Sequence, residues 1–524
     1  MIVLLAAFSS APTSADLTIE LKDYAAMPMT GSSEDTGQTG GMLSRVNTVR
    51  EEPGGNVRPN GRRLFVNDMN GPLYILDKET KQFTTYLDFN GREGHSGIFH
   101  RLFYETGYGN GLAHFEFDPD YARNGKFYTV HIENPAIAAS DLPDNSRVPG
   151  LNVSGYTTTD PIVTPGPVLL EAVLVEWTDT NTANTTFEGT SREVMRVQLN
   201  TRIHPMGEIS FNPAARRGDP EWRVAYIGCG DSGSGEEKGE IRQNPQRLDT
   251  LVGKILRIIP DPGEHPATSA VSDNGRYRIP SDNPFVSTPG ARKEIWAYGF
   301  RNPHRLSWAI DPSNPASNRL IATSIGLHTW ETVNIVHKGA NYGYSQREGN
   351  EALKLDNATA PLPEVDKIPV QIGGTVTDQV AVPTYPVIQY GHVTGGGDAI
   401  GSGYLYSGKA IPALAGKYIF TDLSTGRIWY ANYKDMLAAD DGDPKTMAPI
   451  HEVKILWNGQ TYDSMFPIAE AAYHARGGKA PHLPGRGRVS GPGRADARMS
   501  IDRAGEIYIY SKTDGVIRQI VGAR

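Results

Sequence analysis

Two histidines in this sequence stand in contexts that suit proton transfer. His204 lies in R-I-H-P-M-G, ahead of Gly207 and of the pair Gly230-Asp231. His392 lies in Q-Y-G-H-V-T-G-G-G, where glycines let a ligand approach the backbone closely. An imidazole with a pKa of about 6.5 accepts protons at neutral pH, so either residue could act as a general base. The alternatives are a hydrogen-bonded structural residue at His204 and an ordinary surface-loop residue at His392.

Three more histidines, His95, His100 and His114, lie within 20 residues of one another and could supply metal ligands. Their spacing matches no particular metal-binding motif. Cys229 is the one cysteine of the chain. It excludes an intrachain disulfide framework and a zinc cluster built from cysteines.

Composition narrows the class of protein. The 51 basic and 59 acidic residues give a net charge of −8 with no long basic run, which argues against a sequence-independent nucleic-acid binder. The 24 Tyr, 15 Phe and 7 Trp provide ample material for a core. The 57 Gly and 37 Pro are typical of many strands joined by tight turns. No apolar stretch approaches the roughly 20 residues that span a bilayer.

The elements that must position these histidines are short strands. Segments such as 62–68, 71–77, 416–422 and 505–511 hold β-branched or aromatic residues between turn formers. Strands that end in an Asp-Pro or Asn-Pro turn and re-enter a strand recur at intervals of several tens of residues, as in repeated hairpins. This repetition predicts an all-β propeller, which also protects sheet edges. Long helical periodicity is nearly absent, and 434–439 is at most a short helical turn.

The division of the chain follows from composition. Residues 1–15 resemble the apolar part of a signal peptide that ends in small residues, which predicts a periplasmic or secreted protein. The alternative is a disordered or strand-forming terminus. Residues 16–44 are predicted to form an N-terminal extension and 45–524 a single propeller domain. The stretches near 133–190, 350–385 and 465–493 break the rhythm and are predicted to be insertions between strands.

Several ordered phrases closely resemble the soluble glucose/sorbosone dehydrogenase family. They occupy 109–125, 244–258, 279–285, 294–308 and 330–344, and the resemblance extends over roughly residues 45–524 with insertions. Proteins of that family are six-bladed β-propellers, and many use pyrroloquinoline quinone (PQQ) and Ca²⁺. The resemblance therefore implies a six-bladed all-β propeller.

The resemblance also implies roles for particular residues. His204 takes the place of the general base, and Asp231 would orient it or act as a pocket acid. PQQ is a tricarboxylate and needs fixed cations, for which Arg494 and Arg498 are the candidates. His392 would lie at the mouth of the central channel, near the cofactor.

Two calcium sites are implied in the same way. The backbone carbonyls of Gly326 and Leu327 align with a Gly-Pro step that holds the cofactor Ca²⁺ in the family, and carbonyl ligands tolerate a change of side chain. Glu331 and Tyr342 would hold a structural Ca²⁺. Thr332 stands where a second acid is expected, which would lower the affinity of that site.

The sequence departs from the dehydrogenase pattern at two places. Ser234-Gly235 stands where PQQ-binding members can place Arg-Asn, and Ser424-Thr425 stands where a cofactor lysine can occur. Each carboxylate left unpaired would cost about 1–3 kcal/mol. Arg301 and Asn302, in R-N-P, are interpreted as residues that tie a turn.

Three functions remain open on the sequence. The leading one is an exported PQQ- and calcium-dependent oxidoreductase that oxidises an aldose-like sugar or alcohol, with an unknown electron acceptor. The second is a noncatalytic binding propeller that has lost the cofactor. The third is a metal-dependent hydrolase or lactonase that uses the histidine cluster together with acids.

Overall fold

The computed structural model describes residues 17–31, 40–54 and 63–524. The proposed signal peptide at 1–15 lies outside the described residues. No helix in the described ranges is both long and apolar enough to cross a membrane.

Six antiparallel units, here called blades 1 to 6 in chain order of their innermost strands, make up the architecture, and the outer strands of blades 5 and 6 join these two blades into one sheet. Blade 1 contains Val46–Glu51, Arg63–Asp68, Pro72–Asp77 and Phe83–Asp88; blade 2 contains Leu112–Phe117, Lys126–Glu133, Leu170–Asp179 and Gly189–Leu199, with Leu151–Asn152 at its edge; blade 3 contains Met206–Phe211, Ala225–Cys229, Lys254–Ile258 and Ile295–Tyr298. Blade 4 contains Asn302–Ala309, Arg319–Ile325, Trp330–Ile335 and Ile388–Gly391; blade 5 contains Ile400–Leu405, Lys417–Asp422, Ile428–Asn432 and His451–Trp457, which also pairs with Gln460–Tyr462; blade 6 contains Ala497–Ile501, Ile507–Ser511, Val516–Ala523 and Leu17–Ala26.

The innermost strands close into a ring. Each packs against the innermost strand of the next blade, and Ala497–Ile501 of blade 6 packs against Val46–Glu51 of blade 1. The prediction of a six-bladed all-β propeller is confirmed. A closed ring leaves few sheet edges exposed, which is the physical reason for this architecture.

The strand Leu17–Ala26 completes blade 6. Leu17–Ala26 pairs antiparallel with Val516–Ala523 and parallel with His451–Trp457 of blade 5. The structure thus places this segment inside the propeller, whereas the sequence analysis assigned residues 16–44 to an extension. The physical reason is the alternation of buried Leu17, Ile19 and Leu21 along the strand.

The remaining elements lie between the strands. Outside the blades, the structure has three α-helices, four 3₁₀ turns and four small sheets in the described ranges: Tyr121–Asn124, Tyr433–Ala439 and Phe466–Ala475; Ser234–Glu236, Glu240–Gln243, Pro315–Ser317 and Pro412–Leu414; Ser269–Val271 with Arg278–Pro280, Arg347–Glu348 with Glu351–Leu353 and Thr359–Ala360, Ile368–Ile372 with Thr375–Ala381, and Arg486–Gly487 with Gly491–Pro492. The stretch predicted as an insertion near 133–190 includes Leu170–Asp179, a full strand of blade 2. Its regular burial shows why it is a strand: nine of its ten residues are buried between blades.

The core lies between neighbouring blades rather than at the axis. The largest cluster joins blades 2 and 3 through side chains such as Val130, Leu174, Ile227 and Leu256, all nearly inaccessible to solvent. Such stacking leaves the axial face to polar side chains from the inner strands. That face holds the candidate site.

Candidate active site

A cavity of about 260 Å³ lies where the inner strands of all six blades converge. Its wall includes Asn47 from blade 1, Ala113 from blade 2, Glu208 from blade 3, Arg305 from blade 4 and Arg498 from blade 6. Blade 5 contributes Ala399 and Leu423, which flank its first two strands. Among the predicted site residues, the wall includes His204, Gly326, Leu327, Arg494 and Arg498.

His204 and Asp231 form a hydrogen-bonded pair at this wall. The distance between His204 Nδ1 and Asp231 Oδ1 is 2.7 Å, and Asp231 is fully buried. Asp231 also accepts hydrogen bonds from the backbone of Gly233 at 2.8 Å and of Gly235 at 2.9 Å. Because a carboxylate accepts only, the proton of this hydrogen bond is on Nδ1, and in the neutral imidazole Nε2 keeps its lone pair.

Local backbone geometry explains how the pair forms. His204 has a φ of 52° and ends the loop before Met206–Phe211, while Asp231 follows Ala225–Cys229, the adjacent strand. Gly230 lets the two turns meet, because a Cβ there would lie 2.4 Å from the carbonyl oxygen of His204. Met206–Phe211 and Ala225–Cys229 form a hairpin, and the segments at its open end therefore bring the imidazole and the carboxylate together.

Basic side chains form another part of the cavity wall. The Arg494 guanidinium lies 4.3 Å from the centre of the Tyr108 ring, and its Nε has no hydrogen-bond partner. Arg498 pairs with the buried Asp496 through its Nη2, at 3.0 Å, and Arg494 Nε lies 3.6 Å from the other carboxylate oxygen. The guanidinium groups of Arg498 and Arg494 hold the pKa of Asp496 well below its usual range despite burial. This wall suits an anion with carboxylate groups.

Arg301 is a cavity residue that the sequence analysis missed. Its Nη1 donates to the carbonyl oxygen of Gly326 at 2.6 Å, and its Nη2 pairs with Glu236. Asn302 lines the cavity too. The signal was available, since R-N-P lies at the start of the innermost strand of blade 4, but it was interpreted as a turn.

Two further cavity residues were not singled out by the sequence. His304 donates from Nε2 to the carbonyl oxygen of Ile400, at 2.9 Å, if that nitrogen carries the proton. Burial, aided by the charges of Arg305 and Arg498, holds the pKa of His304 well below 6.5, which keeps it neutral. Lys512 lines the same cavity and follows Ile507–Ser511.

His392 and Glu331 pair with each other away from the cavity wall. The distance between His392 Nε2 and Glu331 Oε1 is 2.7 Å, and the backbone of Ile400 donates to Glu331 Oε2 at 2.7 Å. The contacts join the outer part of blade 4 to the start of blade 5. His392 does not line the cavity, but its partner Glu331 accepts from the backbone amide of Gly326, which does. A role of His392 near the cofactor stays a prediction.

The residues implied for the structural Ca²⁺ are engaged with protein groups. The hydroxyl of Tyr342 donates to the carbonyl of Ile335 at 2.6 Å, and Glu331 is hydrogen-bonded to His392 and to the backbone of Ile400 and Gly326. In the described part of the chain, no group of three His, Cys, Asp or Glu side chains could hold a metal ion. The carbonyl oxygen of Gly326 accepts one hydrogen bond from Arg301 and has a second lone pair, so a cofactor Ca²⁺ held by the carbonyls of Gly326 and Leu327 stays a prediction.

The predicted histidine cluster is also dispersed. His95 Nε2 lies 3.1 Å from the Tyr104 hydroxyl, and His100 Nδ1 lies 2.6 Å from the carbonyl oxygen of Gly91. His114 is fully buried, 3.5 Å from Glu208. These contacts are structural, and they give no support to a metal-dependent hydrolase.

The sequence is similar to a known family and to several curated proteins. The family model for glucose/sorbosone dehydrogenase matches residues 218–462. The HIPL1 protein of Arabidopsis thaliana is 27% identical over 412 residues, which is 74% of this chain and 52% of that protein. The aldose sugar dehydrogenase YliI of Escherichia coli (strain K12) is 41% identical over 108 residues, 20% of this chain and 24% of YliI. The chain spans about half the length of the first curated relatives that it matches, or less.

Solved structures share the fold. The PQQ-bound form of an aldose sugar dehydrogenase from Streptomyces coelicolor superposes with a TM-score of 0.50 and 16% identity, covering 98% of this chain and 100% of that one. The soluble aldose sugar dehydrogenase from Escherichia coli, in its apo-form, gives a TM-score of 0.52 and 16% identity, covering 96% and 98%. At these identities the likeness establishes the architecture alone.

Proposed function

We propose that this chain, which carries a glucose/sorbosone dehydrogenase domain at 218–462, is an oxidoreductase that binds PQQ in the central cavity. Its substrate would be an aldose-like sugar or a related alcohol. One observation carries the proposal: the His204–Asp231 pair shares a cavity with Arg301, Arg494 and Arg498. A proton acceptor beside an anion-binding wall is what oxidation of a hydroxyl by an anionic cofactor requires.

The cationic wall fits a polycarboxylate. Arg301, Arg494 and Arg498 line the cavity, and Nη1 and Nη2 of Arg494 make no hydrogen bond to the described residues. Guanidinium groups bind carboxylates through paired, charge-assisted hydrogen bonds. When bound, PQQ would supply the acceptor for the hydride that leaves the substrate carbon. Ca²⁺ at the carbonyls of Gly326 and Leu327 stays a prediction, whereas Glu331 and Tyr342 are engaged with protein groups.

His204 would hold the proton that leaves the substrate hydroxyl. Its Nε2 has the free lone pair, since Nδ1 donates to Asp231. The buried carboxylate of Asp231 fixes the orientation of the imidazole and stabilises the imidazolium that forms. A positioned base of this kind contributes about 10²–10⁴-fold to the rate.

A noncatalytic binding propeller is the second candidate, and Ser424-Thr425 favours it. The backbone amides of Ser424 and Thr425 donate to Asp422, at 3.1 Å and 2.8 Å, so this turn supports blade 5 and offers no cation. Under this candidate the cavity would bind an anion without oxidising it. Export to the periplasm or the medium stays a prediction.

A titration with PQQ, with and without Ca²⁺, tests the proposed function. We expect PQQ to raise the melting temperature and to shift its own absorbance, with or without Ca²⁺, since ligand-linked stabilisation grows as RT ln(1 + [L]/Kd). The variant Arg494→Leu should weaken both effects, whereas Arg503→Leu, on the exposed turn before Glu506, should leave them unchanged. Absence of any shift at saturating PQQ would favour the binding propeller.

A further inference from the structure

Lys512 is the buried amine of the cavity, and its environment is unusual for a charged lysine. Its side chain lines the cavity although the residue is only 1% exposed. Nζ donates to the carbonyl oxygen of Tyr108 at 2.8 Å. In the described ranges no carboxylate lies within 4.0 Å of Nζ, because Asp496 pairs with Arg498 instead. An ammonium would keep two N–H groups without a protein partner here.

Lys254 provides a contrast within the same protein. It too is fully buried, but its Nζ donates to the carbonyl oxygens of Asn244, Pro245 and Val252, at 3.0, 3.0 and 2.7 Å. Three acceptors match the three donors of an ammonium, although burial lowers the pKa of Lys254 to about 7. Lys254 does not line the cavity, whereas Lys512 does. The single acceptor at Lys512 matches a neutral amine whose lone pair is free.

Neighbouring charges favour the neutral form of Lys512. Burial lowers its pKa well below 10.5, and the positive charges of Arg498, Arg45 and Arg305 lower it further. Asp496 opposes this effect but is engaged with Arg498. An ordinary lysine, with a pKa of about 10.4, is uncharged at pH 7 in fewer than about one molecule in 10³.

A carboxylate-binding group lines the same cavity as the amine. Tyr108 contacts both: its carbonyl oxygen accepts from Lys512, and the Arg494 guanidinium lies over its ring at 4.3 Å. Arg494 Nε lies 3.6 Å from Asp496 Oδ2, whereas Nη1 and Nη2 make no hydrogen bond to the described residues and are able to bind a carboxylate. An amine and a guanidinium in one cavity suit a ligand that carries both a carbonyl and a carboxylate.

We infer that Lys512 is a nucleophilic amine that forms an imine with a small 2-oxo carboxylate, whose carboxylate Arg494 binds. In this step Nζ forms a bond to the carbonyl carbon, and the oxygen leaves as water with both amine protons. The reaction is reversible and needs no oxidant or reductant. It gives the cavity a covalent ligand site that does not depend on PQQ or on His204.

Borohydride trapping tests the inference. The full chain is incubated at pH 7 with pyruvate and sodium cyanoborohydride, and the reduced adduct is located by peptide mass mapping. We expect one adduct per chain, on Lys512, formed about 10²-fold faster than on any exposed lysine, as its larger uncharged fraction requires. Lys512→Arg should abolish this adduct, while Lys22→Arg, on the exposed side of Leu17–Ala26, should not affect it.

A second arm separates the two residues. Arg494→Leu should slow trapping of pyruvate but leave trapping of acetaldehyde, which lacks a carboxylate, unchanged. Adducts spread over exposed lysines with Lys512 unmodified would overturn the inference. Mapping the adduct on the unsubstituted chain gives this answer even where a variant fails to fold.

Discussion

Substitution of His204 distinguishes a catalytic cavity from a propeller that has the same fold but no activity. If its Nε2 accepts the substrate proton, His204→Asn should lower the oxidation rate by about 10²–10⁴-fold and leave PQQ binding nearly intact. Steady-state kinetics, with circular dichroism to verify folding, measures this. A variant that loses stability but keeps its activity per folded molecule would identify His204 as structural.

Asp231 makes a separable contribution through the tautomer of His204. Asp231→Asn places an amide beside Nδ1, at the position of an oxygen that is now 2.7 Å away. An amide that donates to Nδ1 moves the imidazole proton to Nε2, which can then no longer accept one. We expect kcat to fall by at least about 10²-fold with KM little changed. A change confined to KM would contradict the orienting role.

At the scale of elements, the Glu331–His392 pair ties blade 4 to blade 5 and makes that joint sensitive to pH. Burial raises the pKa of Glu331 from 4.5 to about 7. For His392, burial lowers the pKa, but the hydrogen bond and the charge of Glu331 outweigh it and raise the pKa above 6.5. Both shifts are upward, so the folded protein binds protons that the unfolded chain releases.

The sign of the pH dependence follows from these shifts. The stabilisation is complete below the unfolded pKa values of 4.5 and 6.5 and is lost as pH rises through about 7. We therefore expect the free energy of unfolding to fall as pH rises from about 4.5 to about 7, and Glu331→Gln to flatten that fall, in urea titrations. Glu93→Gln, at an exposed site, is the control. An unchanged pH slope in Glu331→Gln would contradict the prediction.

The loop after Arg319–Ile325 also shapes the site, because Gly326 and Leu327 in this loop line the cavity. One oxygen of the buried Glu348 accepts four backbone N–H groups, from residues 327 to 330, at 2.8–3.1 Å. Glu348→Ala leaves these donors unsatisfied and should lower the free energy of unfolding by about 2–4 kcal/mol. Glu351→Ala, which removes one bond to Trp330, should cost about 1 kcal/mol. Equal losses in urea denaturation would exclude this role of Glu348.

At the scale of the whole molecule, the two ends of the chain close the ring together. Ile19 is fully buried on Leu17–Ala26, whereas Lys22 is exposed on the same strand. Ile19→Ala should reduce stability by about 2–5 kcal/mol in urea denaturation, and Lys22→Ala by less than about 0.5 kcal/mol. Similar effects of the two substitutions would show that the first strand is not needed to close the propeller.

Much of the architecture and part of the site can be predicted from residues that act locally. Strand propensity, turn formers and the repeated hairpins predict blades, because each hairpin is specified within a few tens of residues. The phrases at 294–308 and 330–344 carry the resemblance to the glucose/sorbosone dehydrogenase family. His204 could be singled out because its turn resembles that of the general base, and Arg494 and Arg498 because they were the cations before the last blade.

What only the tertiary structure decided is which side chains meet. Neither the joining of Leu17–Ala26 to blade 6 nor the pairing of His392 with Glu331 has a local signal. Lys512 and Arg494 meet Tyr108 from more than 380 positions away along the chain. Closing a ring brings the inner ends of six distant hairpins to one axis, so the cavity is a property of the closed propeller and not of any segment of its sequence.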